Sequence, residues 1–236
     1  GCTGITLLTI PDQVQTIEAY TFYGCTGIKT VRLSVNLKSI GSNAFYGCTG
    51  ITALTLPSKL ETIGNGAFQG TRLKNITIPQ GVTIINSNTF FDCKCLESIV
   101  IPSTIQSIGS QAFYNCMKLK IVIVENGNIM SLTALNSTNV FDGCNTSLCI
   151  IVPKDAYQAA SNWSRYASKI YSDENVVEGK FLIVDGVLKQ YWGTDAEVTI
   201  PDSVTSIGDY AFAYNTTVKK VTWNGQLKQI GNYAFA

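Results

Sequence analysis

The sequence contains no histidine. That removes the commonest general base, the usual partner of a serine or cysteine nucleophile, and the commonest metal ligand. Charge is scarce as well. Asp, Glu, Lys and Arg make up 14% of the residues, against roughly 25% in a typical globular protein, so Ser, Thr, Asn and Gln must supply the surface. The 17 basic and 16 acidic residues nearly cancel, and the longest basic run is Lys219-Lys220. This excludes the electrostatic footprint of a nucleic-acid binder. Long apolar runs are missing too. Stretches such as Ile121-Val122-Ile123-Val124 fall far short of the roughly 20 residues a bilayer requires, so no membrane insertion is expected. The chain opens on Gly1-Cys2 without a recognisable signal peptide, and a mature or excised fragment is the expectation.

What the sequence does contain is a repeat. Thr16-Ile17-Glu18-Ala19-Tyr20-Thr21-Phe22-Tyr23-Gly24-Cys25 matches Ser39-Ile40-Gly41-Ser42-Asn43-Ala44-Phe45-Tyr46-Gly47-Cys48 at a shift of 23. Phenylalanines recur at Phe22, Phe45, Phe68, Phe90 and Phe113, in steps of 23, 23, 22 and 23, and again at Phe212 and Phe235. Each follows an isoleucine by five residues: Ile17, Ile40, Ile63, Ile85, Ile108, Ile207 and Ile230. Pro11, Pro57, Pro79, Pro102 and Pro201 keep the same time, six residues before that Ile. Fixed periods of 20–50 residues mark stacked architectures, in which one unit cannot bury its apolar face alone.

One turn can be read in physical terms. Ile51-Thr52-Ala53-Leu54-Thr55-Leu56 alternates polar and apolar near its end, the pattern of a half-buried strand. Pro57 ends it, because proline cannot donate to a ladder. Leu60 and Ile63 point inward from a second extended piece, and Gly64-Asn65-Gly66-Ala67-Phe68 makes a tight turn, read as one turn of helix, that drives Phe68 into the core. The reading is therefore an α/β repeat solenoid of about 23-residue repeats, with short strands and small helical turns.

The motif shown almost whole by Ser107-Ile108-Gly109-Ser110-Gln111-Ala112-Phe113-Tyr114-Asn115-Cys116-Met117-Lys118-Leu119, and in its first half by Ser206-Ile207-Gly208-Asp209-Tyr210-Ala211-Phe212, resembles the BspA-like leucine-rich repeat family. The resemblance covers roughly residues 1–152 and 195–236. It implies a right-handed leucine-rich-repeat superhelix and an extracellular or cell-surface location, and it brings no catalytic residues. Glu18 and Asn86 depart from the motif where Gly is usual, and Thr21 and Thr89 replace Ala.

Three segments follow. Residues 1–152 form the solenoid, with an irregular loop over 125–139. Residues 153–174 read as a helical segment packed on it, since Tyr157, Ala160, Trp163, Tyr166 and Ile170 keep 3- and 4-residue spacing. Residues 175–236 read as a β-hairpin around Asp185-Gly186, a pair suited to a type I′ turn, followed by further repeats in which Trp223 points inward.

Six of the eight cysteines, Cys2, Cys25, Cys48, Cys93, Cys116 and Cys144, stand at one repeat position. Parallel, in-register side chains point the same way, which disfavours bridging. They read as reduced, buried thiols behaving as small hydrophobes. A straight column does not converge on a zinc ion, so neither a metal nor a cofactor is expected. The outward strand face is the candidate binding surface: Lys29, Arg32, Lys74, Asn75, Glu97, Val100, Lys120 and Ile123, mixed charges around an apolar spot. The rotation between repeats is expected to leave that face concave. The turn side, Gly, Ser and Asn, offers little to distinguish partners. The function expected is non-enzymatic: macromolecule binding or adhesion by a cell-surface or secreted protein, with a host or neighbour-cell protein, or a glycan, as partner. The alternative is a carbohydrate-binding accessory module of a larger surface protein.

Overall fold

The computed structural model describes residues 1–125, 139–153, 163–223 and 225–236. Strands one repeat apart pair in parallel, Val122 beside Ile99 and Ile40 beside Ile17, so the chain is a β-solenoid. It divides into two compact units, Gly1–Ile170 and Tyr171–Ala236.

The turns of the first unit contribute to two rows of strands. The first row contains Leu7–Thr9 beside Thr30–Arg32. It resumes with Asn75–Thr77, Ser98–Ile101, Ile121–Val124 and Cys149–Val152 side by side. The second row holds Thr16–Ile17, Ser39–Ile40 and Thr62–Ile63, then Ile84–Ile85 beside Ser107–Ile108. Both rows are interrupted around the third turn. That turn lacks one residue: Leu73 follows Ile51 by 22 positions, where Ile51 follows Ile28 by 23.

The tight turns are not helical, which corrects the α/β reading. Two residues per turn, four apart, are left-handed: Tyr20 and Gly24, Asn43 and Gly47, Asn88 and Asp92, Gln111 and Asn115. A right-handed helix cannot run through such residues. Alternate backbone N–H groups point to the next turn, while those between them close short bonds inside the turn, as Tyr23 N to Tyr20 O at 3.1 Å. Phe22 N donates to Ala44 O at 2.8 Å, Phe45 N to Ala67 O at 2.9 Å and Phe90 N to Ala112 O at 2.8 Å. Among the described residues the helix is confined to 3-10 pieces, Ser164–Lys169 and Asp173–Asn175. Of the segment expected to be helical, 153–174, residues 154–162 lie outside the described residues, Ser164–Lys169 is a 3-10 helix and Ile170–Ser172 is a strand. Trp163 and Tyr166 are buried and pack on Phe141. The loop expected over 125–139 falls, for 126–138, outside the described residues.

The core of this unit is the stack of phenylalanines. Phe45, Phe68, Phe90 and Phe113 are fully buried, with centroids of neighbours 5.4–5.8 Å apart and planes within 14°. Offset stacking at this distance adds to the area each ring buries. The cysteines form a second column. The thiols of Cys48, Cys93 and Cys116 donate to the carbonyls of Phe22, Phe68 and Phe90, the phenylalanines of the turn before, at 3.0–3.1 Å. In the short turn Thr71 takes the cysteine slot, and its hydroxyl donates to Phe68 O at 2.8 Å.

In the second unit Phe181–Val184 and Val187–Tyr191 pair antiparallel around Asp185 and Gly186, both with positive φ. Ser206–Ile207 and Gln229–Ile230 continue that sheet in parallel. Glu197–Thr199 pairs with Lys220–Thr222. Trp223, expected inward, is 46% exposed; it follows a strand with a neighbour on one side only, so half the indole stays in water.

Candidate binding surfaces

The strand face of the first unit gathers the eight candidate residues. Lys74, Glu97 and Lys120 are consecutive in one column, linked by Glu97 N to Lys74 O at 2.8 Å and Lys120 N to Glu97 O at 3.0 Å. Lys29 stands in the same column, with its N–H on Thr6 O at 2.9 Å. Outward columns follow from the register. Asn75 lies beside Ser98, which lies beside Ile121. Thr77 leads to Val100, Ile123 and Ile151, and Arg32 sits beside Thr9. Arg32 also pairs with Asp12 at 3.2 Å, an exposed contact of small energetic weight.

The face changes character along the solenoid. Lys29, Arg32, Lys74, Asn75 and Glu97 are exposed. Lys120, Val100 and Ile123 are half-buried, and burial lowers the Lys120 ammonium below its ordinary pKa while Glu97 pulls it back up. Ile121, in the column of Asn75, is 2% exposed, and Ile151, beside Ile123, is 3% exposed. The exposed apolar spot is therefore smaller than the alternation of the strands implies.

A groove of about 630 Å³ opens where the first row is interrupted. Residues 51–56 belong to no strand there. Its polar lining is Thr55, Ser58, Asn75, Thr77, Gln80 and Ser98, with Ala53, Pro79 and Val100 among the apolar residues. None of the lining residues is charged. Of the eight candidate residues, the groove brings together Asn75 and Val100 and leaves the rest outside.

The turn side also departs from expectation. It is not a uniform surface of Gly, Ser and Asn. Tyr23 and Tyr46 stack face to face, 4.5 Å apart and 4° from parallel, with Tyr20 tilted against Tyr23. Phe91 and Tyr114 repeat the stack at 5.2 Å. The signal was available in the sequence: the residue after each phenylalanine is Tyr23, Tyr46, Gln69, Phe91 and Tyr114. Reading the columns for core residues alone passes over it.

The buried thiols of the column are poorly poised as nucleophiles. Burial pushes the Cys93 and Cys144 thiols up to about 12 and Cys48 up to about 11, and nucleophilicity resides in the thiolate. Among the described residues no group of three or more Cys, Asp or Glu side chains could hold a metal ion. No helix among them is long and apolar enough to cross a membrane.

The chain is similar in fold to solved leucine-rich repeat proteins. One from Bacteroides ovatus is 18% identical, with a TM-score of 0.41, over 98% of this chain and 76% of that one. A leucine-rich cell surface protein from Faecalibacterium prausnitzii is 23% identical, with a TM-score of 0.46, over 98% and 58%. A third, from Eubacterium ventriosum, is 22% identical, with a TM-score of 0.48, over 98% and 51%. The chain thus spans little more than half the length of the last two. No curated protein is significantly similar to it. The model of the BspA type leucine rich repeat region matches residues 1–120, 85–166 and 193–236 in six copies, and the chain belongs to that family.

Proposed function

We propose that the chain is a non-enzymatic binding module of a cell-surface or secreted protein, and that the strand face of its first unit docks a host or neighbour-cell protein. One observation supports the reading: Asn75, half-buried Val100 and half-buried Ile123 lie on three paired strands whose leading residues are Lys74, Glu97 and Lys120, with Lys29 and Arg32 at an earlier strand of the same row. A small apolar centre within a rim of both charges is the anatomy of a protein contact. A solenoid suits this role because its outward side chains can vary without changing the core.

A second reading, carbohydrate binding, is favoured by the uncharged hydroxyl and amide lining of the groove. The groove offers no aromatic ring on which a sugar could stack, so it takes second place. The test is an array of glycans and extracellular-matrix proteins probed with the intact chain, followed by Lys74→Ala with Asn75→Ala on whatever binds. Both residues are exposed, and the double variant should weaken binding about tenfold with an unchanged melting temperature. Full binding by that variant would remove the strand face from consideration, and a glycan hit competed by free sugar would favour the second reading.

A further inference from the structure

Four tyrosines of the turn side stand where the backbone least favours them. The position two before each phenylalanine is left-handed, and the chain fills it with Asn43, Gly66, Asn88 and Gln111 in four turns. Glycine and asparagine take that conformation at little cost. Tyr20, Tyr210 and Tyr233 occupy the same position with φ of 61°, 59° and 52°. The position two after the phenylalanine is left-handed as well, filled by Gly24, Gly47 and Gly70 but also by Tyr214, φ 59°. A bulky left-handed residue is an outlier. These rings do not repay the backbone by filling the core: Tyr20, Tyr214 and Tyr233 are 59%, 64% and 67% exposed. The pattern occurs in each unit separately.

The neighbours of these rings identify the partner. Across residues 18–26, 41–49, 208–217 and 231–236 the charged side chains are Glu18 and Asp209, both carboxylates, with no Lys or Arg. Both are exposed. Asp209 accepts from Asn232 N through one oxygen, at 2.6 Å. Rings, hydroxyls and carboxylates on segments without Lys or Arg complement a cationic group: the ring face attracts it, and the oxygens accept its hydrogen bonds. Tyr20 is tilted on Tyr23 by 46° and mostly exposed, so ring surface is available. A sugar is less well served, since Tyr23 covers Tyr46 face to face and Tyr210 stacks on Tyr233 at 11°. Tyrosine interleaved with Ser, Gly and Asn is also the composition of surfaces that recognise folded proteins with little loss of entropy.

We propose that the tyrosine-bearing turn edge of each unit is a second interaction surface, separate from the strand face, and that it takes arginine side chains presented by a partner protein. The probe is a fluorescein-labelled peptide of alternating Gly and Arg, with a counterpart in which citrulline replaces every Arg, titrated against the whole chain at physiological salt. Anisotropy should show the arginine peptide bound at least about tenfold more tightly than the citrulline one. Tyr20→Asn with Tyr214→Asn puts a residue suited to left-handed backbone at both sites. That variant should keep or raise the melting temperature and lose at least about fivefold in arginine-peptide affinity. Glu18→Gln with Asp209→Asn should lose a similar factor. Lys74→Ala with Asn75→Ala, on the strand face, should bind the arginine peptide within about twofold of the parent. No binding of the arginine peptide, equal binding of the citrulline peptide, or full binding by the tyrosine variant would overturn the proposal. So would a loss shared equally by the strand-face variant. Failure of the strand face on an array-identified partner bears on the proposed function alone.

Discussion

The side-chain amide of Asn86 donates to the carbonyl of Ile63 at 2.7 Å. In the equivalent slots a backbone N–H makes that bond: Gly41 to Ile17, Gly64 to Ile40 and Gly109 to Ile85, at 2.7–2.8 Å. A Cβ on any of those three glycines would lie 2.4–2.5 Å from the backbone of the preceding turn. Asn86 stands where the second row of strands is interrupted, and its side chain spans the interruption. Asn86→Ala should therefore cost about 1 kcal/mol, the net worth of one hydrogen bond. Gly64→Ala should cost more, because backbone and not a flexible side chain must move. Urea unfolding of both variants checks the order, and an Asn86→Ala protein as stable as the parent would show that the bond carries nothing.

Phe113 lies between Phe90 and Phe141, 5.4 and 5.3 Å from them. Phe113→Ala should cost about 3–5 kcal/mol, since the stack on either side cannot close over the gap. Calorimetry or denaturant unfolding measures it. A loss under about 1 kcal/mol would mean that the column relaxes far more than a close-packed core does.

Native thiol titration should find Cys2 and Cys95 reactive, the one exposed and the other half-exposed, and unfolding without reductant should release all eight. The shifted thiols also predict a pH dependence. Their folded pKa is raised from about 9 towards 12, so the folded state holds protons that the unfolded state gives up. Stability is fully present below about pH 9 and falls as pH rises towards 12, by roughly 1.4 kcal/mol per pH unit for each such thiol. Cys93→Ala should flatten that decline. An unfolding midpoint constant from pH 8 to pH 11 would contradict the assignment.

Val100→Asp with Ile123→Asp looks from the alternation of the strands like a harmless surface change. Both residues are half-buried, and Ile151, beside Ile123, is buried. A carboxylate there loses water without gaining a partner, so the pair should destabilise by about 2 kcal/mol or more. It is therefore a poor probe of binding. A melting temperature within a degree of the parent would show that the face is more open than the structure has it.

The repeat was legible in the sequence because the solenoid is written as periodic side-chain volume. Phenylalanine, isoleucine and cysteine at fixed offsets can be buried together only if equivalent residues stack, and that inference needs no coordinates. The same holds for Asp185-Gly186, whose positive φ values are a local property of the residue pair. Three features were decided only by the tertiary structure. The tight turns are a ladder and not helices because the acceptors for Phe22 and Phe45 lie on Ala44 and Ala67 in the next turn, and local preference cannot see a partner that far along the chain. The groove exists because one missing residue between Thr71 and Leu73 interrupts two rows of strands at once. Outward-pointing Ile121 is buried and outward-pointing Asn75 is exposed, although both occupy one column. Alternation states which way a side chain points; whether water reaches it depends on what the rest of the chain packs above that face.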